Sequence, residues 1–172
     1  MKHRVGGKLA TDLQRMIPGR EAMAASSQEN ASASIRIVHP QEQSPETLQT
    51  PGSLRLSAIS AMHNVSSSLW AGTFVVEPSA QTAIHHHGEQ DTVVYVLKGE
   101  SLVRWGDHGE YVATVRAGDF LYVPAWLPHQ ELNPSTDRSF RWVVVRSTSE
   151  PIVVNLPDDF WEEDAHETRS MT

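Results

Sequence analysis

The segment Ile84-His85-His86-His87-Gly88 sets three histidines side by side. Side chains on a β-strand alternate between faces, so His85 and His87 point one way and His86 the other. Two imidazoles at i and i+2 can reach one ion, and Gly88 lets the chain turn after them. Asp91 follows at the head of an apolar run, where its carboxylate could close on the same ion. Glu89 has the same parity and is a fallback ligand, although it falls in a turn. A further imidazole, His129, opens a short run just after a turn bounded by Pro124 and Pro128. Of the nine histidines, only His85 to His87 and His129 are framed by strand and turn signals on both sides. Nitrogen donors with one carboxylate suit a single divalent ion: iron(II), manganese, nickel, cobalt or zinc. An open coordination position would let such an ion bind dioxygen, polarise a carbonyl or activate water. The chain has no cysteine and no evident Ser–His pair, so the ion is the strong chemical agent in view.

These residues need strands to hold them. Strand-like runs are Leu54–Ser60, Leu69–Val76, Thr82–His87, Thr92–Lys98, Ser101–Trp105, Tyr111–Val115, Phe120–Val123, Gln130–Leu132, Phe140–Ser147 and Ile152–Asn155. Ser34 to Val38 alternates in the same way. Turn signals separate the runs, among them Pro51-Gly52, Gly99, Gly106-Asp107 and Asn133-Pro134. Many short strands at near-even spacing, with no helix-length segment between them, predict an all-β barrel or sandwich. Tyr95 and Leu97 share the parity of Asp91, which makes Tyr95 a candidate substrate contact. Trp126, close to His129, is the second candidate. Like Trp70, Trp105 and Trp142, it is most simply explained by core or rim packing.

Length and charge bound the rest. A chain of 172 residues is most naturally one domain with a real core. Residues 1–33 mix a short basic amphipathic stretch with a run of small polar residues, and are expected to be loosely ordered. The domain is expected over residues 34–157, followed by an acidic tail, 158–172, whose Phe160 and Trp161 would pack on the barrel. Lys2, Arg4, Lys8, Arg15 and Arg20 against Asp12 and Glu21 give the first 22 residues a charge of +3. The remainder therefore carries −10 of the total of −7. An acidic body argues against nucleic acid, and no apolar run has the length of a membrane span. The expected compartment is cytoplasmic, which the absence of cysteine suits. The basic start also suits a mitochondrial presequence, against which Asp12 and Glu21 count, and translation from Met23 is a further reading.

Two segments resemble the two motifs of the cupin family. The second motif matches throughout: Gly118, five residues, Pro124, four residues, His129, three residues, Asn133. The first matches in its core, with His85, one residue, His87, three residues, an acid, and later Gly99. It departs in three places. Ser79 stands where the family's Gly is usual, Asp91 replaces Glu, and seven residues rather than six separate that acid from Gly99. The resemblance covers roughly residues 69–147 and narrows to small stand-alone cupins of bacteria and fungi, some of them in fungal secondary-metabolite pathways. It implies a double-stranded β-helix, the cupin jelly-roll barrel, with one divalent metal ion on His85, His87, His129 and Asp91. It further implies a small-molecule substrate and a homodimer. Three functions compete. The first is a metal-dependent oxidoreductase such as a dioxygenase. The second is a metal-assisted isomerase, decarboxylase or cyclase. The third is a non-catalytic small-molecule-binding barrel.

Overall fold

The computed structural model describes residues 34–162 apart from Asn64 and Ser67, so the expectations for residues 1–33 and for the tail beyond Glu162 lie outside the described residues. The chain divides into two units, Met1–Ile35 and Arg36–Thr172, and the strands of the described residues all lie in the second. The strands are β1 (Ser53–Ile59), β2 (Trp70–Val76), β3 (His85–His86), β4 (Thr92–Lys98), β5 (Glu100–Trp105), β6 (Tyr111–Arg116), β7 (Phe120–Val123), β8 (His129–Leu132), β9 (Phe140–Arg146) and β10 (Val154–Asn155). They form two five-stranded sheets, ordered β1-β2-β9-β4-β7 and β10-β3-β8-β5-β6. All neighbours are antiparallel. From β2 onward the chain passes back and forth between the sheets, except at the β5–β6 hairpin, which is the double-stranded β-helix expected from the motifs.

Alternation decides what lies between the sheets. Along β2 the buried positions are Trp70, Gly72, Phe74 and Val76, and along β9 Phe140, Trp142, Val144 and Arg146. Register stacks them into layers across β2, β9 and β4: Phe74–Trp142–Val96, then Gly72–Val144–Val94, then Trp70–Arg146–Thr92. The first layer is aromatic, with Trp142 stacked on Phe140 at 4.9 Å and tilted against Phe74 at 5.7 Å. The third layer is polar, and it faces the histidines. Gly72 is required where it stands, because a Cβ there would lie 2.7 Å from the Trp70 ring and 2.1 Å from the Leu56 carbonyl oxygen.

The structure corrects two expectations about strands. Ser34 to Val38 is not a strand, and Ile35 and Ile37 are exposed. Alternation without a neighbouring strand cannot supply the ladder hydrogen bonds that hold an extended chain. On β4 the inward residues are Thr92, Val94 and Val96, so Tyr95 and Leu97 lie on the opposite face. Tyr95 packs there against Phe120 at 4.7 Å. Both faces of this strand are apolar, so its parity could not be read from hydrophobicity; pairing with β9 on one side and β7 on the other fixes it.

Ser79, the residue in place of the family's glycine, has φ of +56°. A side chain in this left-handed region costs about 1–2 kcal/mol. Glycine relieves that cost but adds freedom to the unfolded chain. Ser79→Gly should therefore raise stability slightly, by up to about 1 kcal/mol in urea unfolding. A loss of stability would mean that the Ser79 side chain is needed. At the far end of the described chain Trp161 is buried. Its indole N–H donates to the Gly106 carbonyl at 3.0 Å, and the Arg104 guanidinium lies 4.3 Å from its ring.

Candidate metal centre

His85 on β3 faces His129 on β8 across an antiparallel pair, and His87 follows immediately after β3. The three rings are buried, and one ligand atom from each lies within 4.8 Å of the others. Local backbone sets their orientation. Nδ1 of His85 is 2.9 Å from the Ala83 carbonyl, Nδ1 of His129 is 2.9 Å from that of Leu127, and Nδ1 of His87 is 3.1 Å from that of Ile152. A carbonyl oxygen only accepts, so each Nδ1 carries the hydrogen and each Nε2 keeps a bare lone pair. A backbone partner on the outer nitrogen is the usual support for a metal-ligating imidazole.

Glu131 is the fourth group at the site. It sits two residues beyond His129 on β8 and is 5% exposed. Its Oε2 accepts from the Thr82 hydroxyl at 2.8 Å, and its Oε1 stands 3.7 Å from His129 Nε2. A carboxylate oxygen and a bare imidazole nitrogen then face each other with no hydrogen between them. A cation between the two would satisfy both, so the donor set fits a divalent ion. The i, i+2 reasoning that joins His85 to His87 applies equally to His129 and Glu131 and is the signal that would have found this carboxylate.

Asp91 does not join the cluster. It precedes β4, is exposed, and accepts from the Tyr122 hydroxyl at 2.8 Å and from the Ala125 amide at 3.3 Å. The residue separated from Gly99 by the family's six residues is Thr92, which is buried and lines the histidine cavity. The long gap noted from the sequence thus marks a carboxylate position filled by threonine. Glu89 is exposed. Trp126 is exposed, with φ of +66°, and its ring lies 5.5 Å from that of His86. Neither Tyr95 nor Trp126 lines the cavities at the histidines.

The histidine cavity is small, about 20 Å³, and is also lined by Arg55, Arg146, Trp142 and Phe74. An apolar groove of about 380 Å³ adjoins it, sharing Val123 and His129. A larger surface cleft of about 650 Å³ beside Gly99 and Arg116 contains none of the histidines. Burial, and then the neighbouring His129, pulls the His85 imidazole down to about 3. His87 and His129 are lowered as well, again chiefly by burial. Burial alone would raise Glu131, but His85, His129, the Thr82 hydroxyl and Arg55 together hold it below its usual value. Burial also draws Arg55 to about 10 and Arg146 to about 9, so both remain charged at neutral pH.

A pH dependence follows. Unfolded histidine titrates near 6.5, well above the folded values. Between the two the unfolded chain binds more protons. The metal-free protein should therefore hold full stability above about pH 6.5 and lose several kcal/mol as pH falls toward about 3. Urea unfolding of chelator-treated protein across this range measures it. Constant stability from about pH 7 to about pH 4.5 would contradict neutral buried imidazoles.

The sequence profile of the cupin domain family matches residues 72–146. Among curated proteins none matches the chain by sequence. Among solved structures the chain is similar to the polyketide cyclase RemF from Streptomyces resistomycificus, with 23% identity over 77% of this chain and 94% of that one and a TM-score of 0.60. It is similar to an oxalate oxidase, with 21% identity over 81% of this chain and 76% of that one and a TM-score of 0.60. Oxalate decarboxylase from Bacillus subtilis matches with 23% identity over 70% of this chain and 33% of that one, at a TM-score of 0.56. Two motifs on the predicted strands, a jelly roll of two antiparallel sheets and a buried histidine trio agree with these likenesses: residues 72–146 match the cupin domain, and the chain has the double-stranded β-helix fold.

Proposed function

We propose that the protein is a metal-dependent enzyme acting on a small organic molecule. In this reading Nε2 of His85, His87 and His129 and Oε1 of Glu131 hold one divalent ion. The carrying observation is the convergence of three hydrogen-free imidazole nitrogens, one of which faces a carboxylate oxygen at 3.7 Å. When bound, such an ion supplies Lewis acidity, and a redox-active one would also support oxidation. Val94, Val123, Val144 and Phe74 line the cavity and keep water from the ligands. Thr82 anchors Glu131, while Ala83, Leu127 and Ile152 fix the ring planes.

The resemblance put oxidation first. The positive charge of Arg55 and Arg146 beside the ligands favours the alternative, in which an oxyanion develops during isomerisation, cyclisation or decarboxylation. The fold likenesses include both a cyclase and an oxidase and do not choose between these. Protein purified without a histidine tag should contain, or take up on dialysis, one divalent ion per chain by elemental analysis. Failure to retain iron, manganese, nickel, cobalt or zinc would end the reading. Product formed from aromatic or polyketide-like carbonyl compounds without dioxygen supports the non-oxidative class. Turnover that requires dioxygen returns oxidation to first place.

A further inference from the structure

Among the described residues, five buried side-chain polar atoms lack a hydrogen-bond partner, and four of them belong to residues lining the histidine cavity. These are Arg55 Nε, Thr92 Oγ1, Trp142 Nε1 and Arg146 Nε. Each is a donor. Buried donors without acceptors are costly and rare, so four around one cavity point to an absent acceptor.

Arg146 supports this independently. It stands on β9 directly between Thr92 on β4 and Trp70 on β2. Its Nη1 donates to the Ile152 carbonyl and, at 3.4 Å, to Gln90 Oε1. Its Nη2 faces Nε2 of His87 at 3.4 Å. That nitrogen has one lone pair, and an ion held by the histidines takes it. Arg146 Nη2 then joins the donors that need an acceptor. Charge points the same way. Two guanidinium groups against the Glu131 carboxylate leave one positive charge on the cavity wall, and a divalent ion raises it to three. A buried excess of that size calls for a negative ligand.

Shape sets the rest of that ligand. About 20 Å³ beside the histidines admits little more than a ligand head. The adjoining groove of about 380 Å³ is lined by Val103, Trp105, Val115, Leu121, Pro124 and Leu127, among others, and suits a flat apolar body. We propose that the molecule bound here is an organic oxyanion, a carboxylate, enolate or phenolate. Its charged head lies between the ion and Arg146, and its apolar body lies in the groove between β5, β6 and β7. The proposal rests on the metal reading above and names the substrate class for that site.

The test uses the whole chain loaded with cobalt(II), whose visible spectrum reports its ligands, and titrates benzoate against the neutral benzamide. Benzoate should shift the spectrum saturably and bind at least about tenfold more tightly than benzamide, since hydrogen bonds to charged groups differ by that order. Arg146→Met should weaken benzoate by about 10–100-fold with little loss of cobalt. Equal binding of benzoate and benzamide, or unchanged benzoate binding in the variant, overturns the oxyanion proposal and leaves the metal reading intact. A wild-type protein that takes up no cobalt overturns the metal reading and this proposal with it. The comparison of benzoate with benzamide needs no variant, so poor folding of Arg146→Met does not remove the test.

Discussion

His129→Ala should reduce metal affinity more than 100-fold, beyond the ~10–100-fold typical when only a supporting residue is lost. His129 faces His85 in register, lies within 4.8 Å of both other histidines by ligand atom, and borders Glu131. Its removal takes one of three nitrogens and leaves Glu131 facing a hole. Competition with a chelator of known affinity measures the change. Two comparisons give it meaning. Glu131→Gln keeps the bond from Thr82 but removes the charge, and should cost about 10–100-fold, less than the loss of His129. Asp91→Ala should leave affinity near that of the unmodified protein, because that carboxylate binds Tyr122 at the surface. A loss for Asp91→Ala as large as for His129→Ala would mean that metal binding recruits Asp91 and that the arrangement described above is not the one used.

Trp142→Ala should cost about 3–5 kcal/mol of unfolding free energy, the range for a large buried aromatic. The ring is 2% exposed, stacks on Phe140 and meets Phe74 from the neighbouring strand. It belongs to the aromatic layer, one of the three across β2, β9 and β4, so no small shift of a neighbour can fill the space. The lost area alone accounts for a large part of this, and the remaining cavity supplies the rest. Urea unfolding at neutral pH measures it. A change below about 1 kcal/mol would show that the two sheets collapse onto the gap.

The strands and the histidine trio were legible because two strong signals agreed. Turn residues delimited the runs, and parity joined His85 to His87 before any fold was known. Parity failed where a strand is apolar on both faces. Val93, Tyr95 and Leu97 look as suited to a core as Val94 and Val96, and only the register with β9 separates them. Motif spacing put Asp91 at the ion, Tyr95 and Leu97 took their inward parity from it, and Thr92 was thereby concealed. Arg146 was hidden for a different reason. It occupies the inward parity of Phe140, Trp142 and Val144, but an arginine at a strand end ordinarily reads as solvent-facing. Its burial becomes intelligible only beside the nearby Ile152 carbonyl and Gln90 and His87, the last two from a distant part of the chain. Arg55 on β1 lies outside both motifs, and nothing near it in sequence announces its place in the cavity.

The β3–β8 pair joins the two motifs through one registered partnership, His85 with His129, helped by the Gln81–Leu132 bridge and the Thr82–Glu131 hydrogen bond. On its other side β3 is flanked only by the two-residue β10. This is a seam of few ladder pairs, supplemented by the Thr82 N–H to the Glu131 carbonyl and the Asn133 N–H to the Ala80 carbonyl, and residues that close it would also hold the ion. The metal would therefore act as a cross-link, bridging segments far apart along the chain much as a disulfide would, but reversibly. Without it the seam can open while the three-layer core of β2, β9 and β4 stays closed. Amide hydrogens of β3 and β10 should then exchange early in the metal-free protein and become protected on loading, while those of β9 hardly change.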